Sequence, residues 1–255
     1  MKKIFIAVVS ISLMVVSCKG EVNTSNNSAT EVSDNSETKK TENTSSKEND
    51  ESGDAICLLD KLSVRETPTA KGKWITSMSL GEKVYFTGEK HIDSVTKKDY
   101  FKVKLIDGKE GWSRAPFLAV NGKVGVITQK TSVYKRPDLL TKTENEFSPM
   151  DIIAVIGNQD DWVQVKGKRA TGKYIEEVWV KSNNISDKQV DIATAKFAGI
   201  ALTKPTMTDR IKALQEVVGN SDFAESSFIG LIQEKIKDYE SKNVPVDVQD
   251  VKVEE

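Results

Sequence analysis

The residues able to do covalent or metal chemistry are few in this chain of 255 residues, and their spacing argues against catalysis. His91 is the one histidine and lies in the polar run Glu89-Lys90-His91-Ile92-Asp93, with no second histidine or cysteine at ligand spacing. A zinc site or a Ser-His-Asp site would have to be assembled around that loop from distant segments. Cys57 could pair with His91, but it sits in Ala55-Ile56-Cys57-Leu58-Leu59, an apolar run with no nucleophile signature, where a cysteine serves as a small buried hydrophobe. The carboxylate pairs Asp160-Asp161 and Glu176-Glu177 are adjacent, so on a strand their members point to opposite faces and suit hairpin punctuation rather than acid–base work. No glycine-rich phosphate loop occurs, and a formal net charge of -1 gives no basic field for nucleic acid. The expectation is binding without chemistry, with no metal and no cofactor.

The elements that must position a binding surface start with an export signal. Lys2 and Lys3 precede an apolar run from Ile4 to Val16, broken only by Ser10 and Ser12, and Ser17 stands before Cys18. The run is too short for a permanent membrane helix, so residues 1–17 are expected to be cleaved. Residues 20–54 hold no aromatic side chain and are dominated by Ser, Thr, Asn, Glu, Asp and Lys. Such a segment cannot bury enough apolar surface to fold, and as a flexible coil it spans on the order of 30 Å. The chain therefore reads as residues 18–54 forming a polar tether ahead of the folded part.

Val15-Val16-Ser17-Cys18 resembles the lipobox of bacterial lipoproteins. The resemblance implies that Cys18 is diacylated, becomes the new N-terminus and is usually acylated again. Several chains anchor stably, because each buried methylene adds about 0.8 kcal/mol while a single chain binds only marginally. Lys19, in place of a retaining aspartate, implies the outer membrane, facing either the periplasm or the outside. With Cys18 acylated, Cys57 has no disulfide partner in the chain.

The folded part begins with period-two patterning. Leu62 and Val64 alternate with polar residues and Pro68 ends the run; Gly81 offers a turn before Val84-Tyr85-Phe86. Tyr100, Lys102 and Lys104 alternate with Phe101, Val103 and Leu105, Asp107-Gly108 is a hairpin signal, and Gly111-Trp112 follows. This order, Leu-x-Val-Arg-x-x-Pro, Leu-x-x-Gly-x-x-Val, aromatic-x-Lys-Val, Asp-Gly, Gly-Trp, resembles the bacterial SH3-like (SH3b) domain family and implies a small β-barrel over residues 55–121.

A divergent copy follows over residues 124–186. Val133 and Pro137 keep the spacing of Val64 and Pro68, Ile152 to Ile156 stand for Val84 to Phe86, and Trp162 and Trp179 stand for Tyr100 and Trp112. It departs at Tyr134-Lys135-Arg136, at Pro149 where a glycine is expected, and in a longer last hairpin from Gly167 to Glu177. Lys166, Lys168, Arg169 and Lys173 on that hairpin suit either ligand contact or a solvated tip.

From Asp187 the period lengthens to that of helices. Val190, Ala193, Phe197, Ala198, Ala201 and Leu202 form one stripe; Ile211, Leu214, Val217 and Val218 form another, opened by Thr208-Asp209; a third runs from Ser221 to Tyr239. Residues 187–242 are thus a helical region, either completing the second barrel's core or standing as a separate module, and residues 243–255 are a tail. The expected fold class is mainly β with a C-terminal α-helical region: two small SH3-like barrels followed by about three short helices.

In secreted bacterial proteins these barrels often accompany a peptidoglycan hydrolase domain, and none is visible here. The resemblance implies a non-enzymatic, lipid-anchored envelope protein whose partners are the bilayer through acylated Cys18 and peptidoglycan or an envelope protein. The alternative is a surface lipoprotein that binds host or matrix proteins. The candidate ligand contacts are Trp74, Tyr85, Tyr100 and Trp112 of the first copy and Trp162 and Trp179 of the second, although Trp112 and Trp179 also suit a core role.

Overall fold

Residues 52–242 are described by the structure, a computed structural model; the expected signal, Cys18, nearly all of the tether and the tail lie outside the described residues. The described chain is mainly β, with three C-terminal α-helices.

Seven strands form the first sheet: β1 (Gly53–Cys57), β2 (Leu62–Arg65), β3 (Trp74–Met78), β4 (Lys83–Ile92), β5 (Asp99–Lys104), β6 (Glu110–Arg114) and β7 (Leu118–Val120). They pair antiparallel in the order β3-β2-β6-β5-β4-β1-β7. The alternation legible in Leu62 and Val64 sends both inward, where they meet Ala55, Cys57, Met78, Val84, Phe86 and Val103. Burying the Phe86 ring alone contributes about 3 kcal/mol at most. Gly81 and Gly108 take left-handed φ values of 78° and 82° at turns that an ordinary side chain would strain.

The second sheet repeats this plan seven strands later. Its members are β8 (Lys123–Ile127), β9 (Thr131–Tyr134), β10 (Lys142–Phe147), β11 (Ile152–Gln159), β12 (Trp162–Lys168), β13 (Ile175–Lys181) and β14 (Ile185–Ser186), in the order β10-β9-β13-β12-β11-β8-β14. Register matches as well as order. Arg65 pairs with Trp112 as Tyr134 pairs with Trp179, and Tyr100 pairs with Arg114 as Trp162 pairs with Lys181.

The expectation for Pro149 is off by one residue. Gly81 N–H donates to Cys57 O at 2.8 Å, and the matching bond at 2.8 Å runs from Met150 N–H to Ile127 O, so Met150, with φ 70°, holds the glycine position. Left-handed backbone at a non-glycine residue costs about 1 kcal/mol. The Met150 side chain offsets it by packing against the helices.

Of helices α1 (Gln189–Leu202), α2 (Met207–Gly219) and α3 (Ile229–Lys242), α1 lies against β8 and β11 of the second sheet, α2 packs on α1 and α3 packs on α2. Strand alternation explains how. Ile127 and Ile153 face that sheet's own core with Val133, Phe147, Val165 and Val180, while their neighbours Val126 and Ile152 face the helices. The helices therefore neither fill the second core nor stand apart; α1 covers the outer side of β8 and β11, and the three helices share one core with Val126 and Ile152.

Three helical readings need correction. In α1 the buried face is Ile192, Ala195, Ala198 and Ala201, and Phe197 is half exposed, because an almost uniformly apolar helix leaves its phase to packing. Helix α2 is capped two residues earlier than expected, Thr206 Oγ1 accepting from Asp209 N–H at 3.0 Å. Helix α3 starts at Ile229 rather than Ser221, because the Ser226 hydroxyl and the Ser227 N–H donate to the buried Asp191 carboxylate at 2.9 and 2.8 Å instead of joining a helix.

The two sheets also touch. Ile56, Leu58 and Ala119 of the first pack on Ala154 of the second, and Lys166 Nζ donates to Leu118 O at 3.0 Å, burial lowering the lysine pKa. Arg169 makes a two-pronged ion pair with Glu176 at 2.7 and 3.1 Å, and Ala170 N–H donates to Asp151 Oδ1 at 3.1 Å. Part of the long hairpin is thus tied to the body, while Lys168 and Lys173 remain exposed.

Candidate binding groove

The outward face of the first sheet follows from strand alternation. In β5, Phe101 and Val103 turn toward the core, so Tyr100, Lys102 and Lys104 lie on the other face, opposite Arg114, Trp112 and Glu110 of β6, with Tyr100 covered there. Across the strands a ladder runs Trp74–Arg65–Trp112–Lys102, alternating aromatic and cationic side chains. A bulge in β4 between Phe86 and Lys90 brings His91 opposite Tyr100, its ring edge-on to Trp112 at 6.0 Å.

Gly111 makes this arrangement possible. A β-carbon there would stand 2.7 Å from Arg65 O and 2.9 Å from Ile75 Cδ1, so β6 approaches β2 only because the residue has no side chain. Gly111→Ala is expected to lower stability by about 2 kcal/mol in chemical denaturation, since the overlapped atoms include backbone.

Between the strands lies a groove of about 260 Å³, lined by Lys61, Arg65 and Arg114, by Tyr100 and Trp112, and by Leu59, Leu62, Ser63 and Ala70. Its lining has no carboxylate; Asp60, beside Lys61, is exposed outside it. Among the described residues none of the three cations forms a salt bridge. Arg65 Nη1 donates to Gly72 O at 2.7 Å, which fixes the guanidinium and leaves its other donors free. The Arg114 guanidinium lies 5.6 Å from the Tyr100 ring centre and 5.9 Å from that of Phe117, and its Nε is buried without a hydrogen-bond partner.

The candidate aromatics divide accordingly. Tyr100, only 3% exposed, and half-buried Trp112 line the groove, Trp74 adjoins it on β3 with 58% of its surface exposed, and Tyr85 is exposed opposite Lys104, away from the lining. In the second copy Trp162 is buried, edge-on to Tyr134 at 4.7 Å with Lys181 Nζ 3.9 Å from its ring centre, and Trp179 is half-buried opposite Tyr134. The cations Lys61, Arg65 and Arg114 escaped sequence reasoning. Only the Arg of Leu-x-Val-Arg hinted at them, because the register that brings Arg65 and Arg114 to one groove is tertiary.

Of the residues first considered for chemistry, His91 stands beside the groove wall Trp112 and Cys57 lies apart from it. Cys57 is fully buried in the first core, its thiol donates to Leu59 O at 3.1 Å, and burial pushes its pKa up to about 11. Among the described residues no cluster of three or more His, Cys, Asp or Glu side chains is placed to hold a metal ion.

No protein-family model matches the chain, and no curated protein matches it. Among solved structures it is similar to NlpC2 from Trichomonas vaginalis, with 11% identity over 60% of this chain and 56% of that one, at a TM-score of 0.23. NlpC1 from the same organism gives 12% identity over 60% and 53%, also at 0.23. The chain spans just over half the length of each.

Proposed function

We propose that this chain is a lipid-anchored cell-envelope protein that binds peptidoglycan or an envelope protein through the first of two SH3-like barrels, without catalysing a reaction. The observation that carries the reading is the outward face of the first sheet, where exposed Trp74 adjoins a groove with two aromatic walls and three cations free of salt bridges. Aromatic and arginine side chains are the groups that dominate binding energy at interfaces. The SH3-like assignment is supported by the motif order and by the repetition of one strand order and register in both sheets. The envelope address rests on the leader and the Val15-Val16-Ser17-Cys18 motif, with Cys18 carrying the acyl chains and the outer membrane as the anchoring bilayer.

Pull-down with purified sacculi tests the reading. The full chain is retained, and Trp74→Ala, which removes an exposed ring and leaves the core intact, lowers the affinity by about tenfold or more, the loss of one interface anchor. A wild-type chain that washes off the sacculi and captures no envelope protein contradicts it.

A further inference from the structure

We infer that the groove of the first sheet is a carboxylate subsite, taking the free C-terminal carboxylate of an extended peptide; this rests on the binding role proposed above and names its ligand chemistry. Lys61, Arg65 and Arg114 put three cations in a lining without a counter-charge, and the unpartnered Nε of Arg114 is a buried donor still to be satisfied. Planar guanidinium forks match planar carboxylates in paired hydrogen bonds. Size narrows the ligand. A volume of about 260 Å³ is below the roughly 300–1,000 Å³ of pockets that enclose a drug-sized molecule, so the groove suits the end of a ligand rather than the whole of a large one.

The rest of the lining favours a peptide end over an inorganic anion. Leu59, Leu62 and Ala70 offer apolar surface beside the cations, which a terminal residue's side chain can cover and a phosphate ion cannot. From Trp112 the ladder crosses Arg65 to Trp74 on β3, the outermost strand, so the preceding residues would pass an aromatic ring on either side of the arginine.

The second copy supplies an internal comparison. At the places of Arg65 and Arg114 it has Tyr134 and Lys181, and both are taken up by Trp162: Tyr134 against its ring, Lys181 above it. Among the described residues, the open arrangement of cations thus belongs to the first copy and not to the second.

Titration of the full chain with acetyl-Ala-Ala-Ala bearing a free carboxylate, with the same peptide as its C-terminal amide, and with inorganic phosphate tests the proposal. The acid form is expected to bind with a stoichiometry of one, and the amide about ten- to a hundredfold more weakly, the loss of a charge-assisted hydrogen bond. Arg114→Gln and Lys61→Gln weaken the acid form and leave the amide unaffected, with far-UV circular dichroism unchanged; Arg65 is avoided because it also holds Gly72. Equal binding of acid and amide, no binding of the acid, or saturation by phosphate alone overturns the carboxylate assignment. Sacculi separate the two levels. Retention that the acid peptide does not compete leaves the envelope reading standing without the subsite, and peptide binding without retention leaves the subsite without the envelope reading.

Discussion

Replacing Phe228 with alanine is expected to lower the unfolding free energy by about 4 kcal/mol, the range for deleting a buried aromatic ring and leaving a cavity. Phe228 is 1% exposed and lies at the start of α3, its carbonyl accepting from Ile232 N–H at 3.0 Å. Its cluster joins all three helices to Val126 and Ile152 of the second sheet, with Leu80 from the turn between β3 and β4 packed alongside. The cavity therefore opens where helices and sheet share a core, and the loss should appear in one guanidinium transition followed equally by helix signal and tryptophan fluorescence. A loss under about 1 kcal/mol, or helices that melt before an undisturbed β signal, would mean that the helical region is separable.

Asp191→Ala is expected to cost about 3 kcal/mol, because one substitution removes the acceptor of several buried donors. The carboxylate is 2% exposed and accepts from Ser186 Oγ at 2.6 Å, Ser226 Oγ at 2.9 Å, Ser227 N–H at 2.8 Å and Ser227 Oγ at 3.0 Å. It ties the end of β14, the first turn of α1 and the segment before α3 together. Burial alone would raise its pKa, but the hydrogen bonds from Ser186, Ser227 and Ser226 outweigh burial and hold it below the ordinary 3.8. A carboxyl with a depressed folded pKa stabilises fully above its unfolded value and loses that contribution as pH falls through the folded one. The gap in stability between wild type and Asp191→Ala should accordingly be constant near neutrality and shrink only below about pH 3.8. A gap that shrinks between pH 5 and 7 would contradict this role for the carboxylate.

The strands were the most legible part of the fold, because a half-buried strand writes its burial as alternation: Leu62 and Val64, or Phe101 and Val103, need no distant information. The helices were legible in existence and not in detail. The start of α3 is set by Asp191, remote in sequence from Ser226 and Ser227, and the phase of α1 by the sheet it covers. Met150 was hidden because a left-handed methionine leaves none of the turn signal that a glycine would. At the groove, the aromatic walls Tyr100 and Trp112 could be named from the barrel pattern, whereas Arg114 reads as an ordinary strand-end cation until register sets it across from Tyr100. Trp162 shows the converse: its place in the pattern equals that of Tyr100, and both rings are buried, but with Tyr134 for Arg65 and Lys181 for Arg114 it meets a ring and an ammonium where Tyr100 meets the Arg114 guanidinium.

That asymmetry offers the most direct test of where the chain binds. It has four tryptophans, Trp74 and Trp112 on the first sheet and Trp162 and Trp179 on the second, each with a resolvable indole N–H resonance. Soluble muropeptides released from sacculi, titrated into the nitrogen-15-labelled full chain, should move the Trp74 and Trp112 signals with one saturation curve and leave Trp162 and Trp179 in place. Shifts confined to Trp162 and Trp179, or no shift at any of the four, would contradict a peptidoglycan-binding groove on the first sheet.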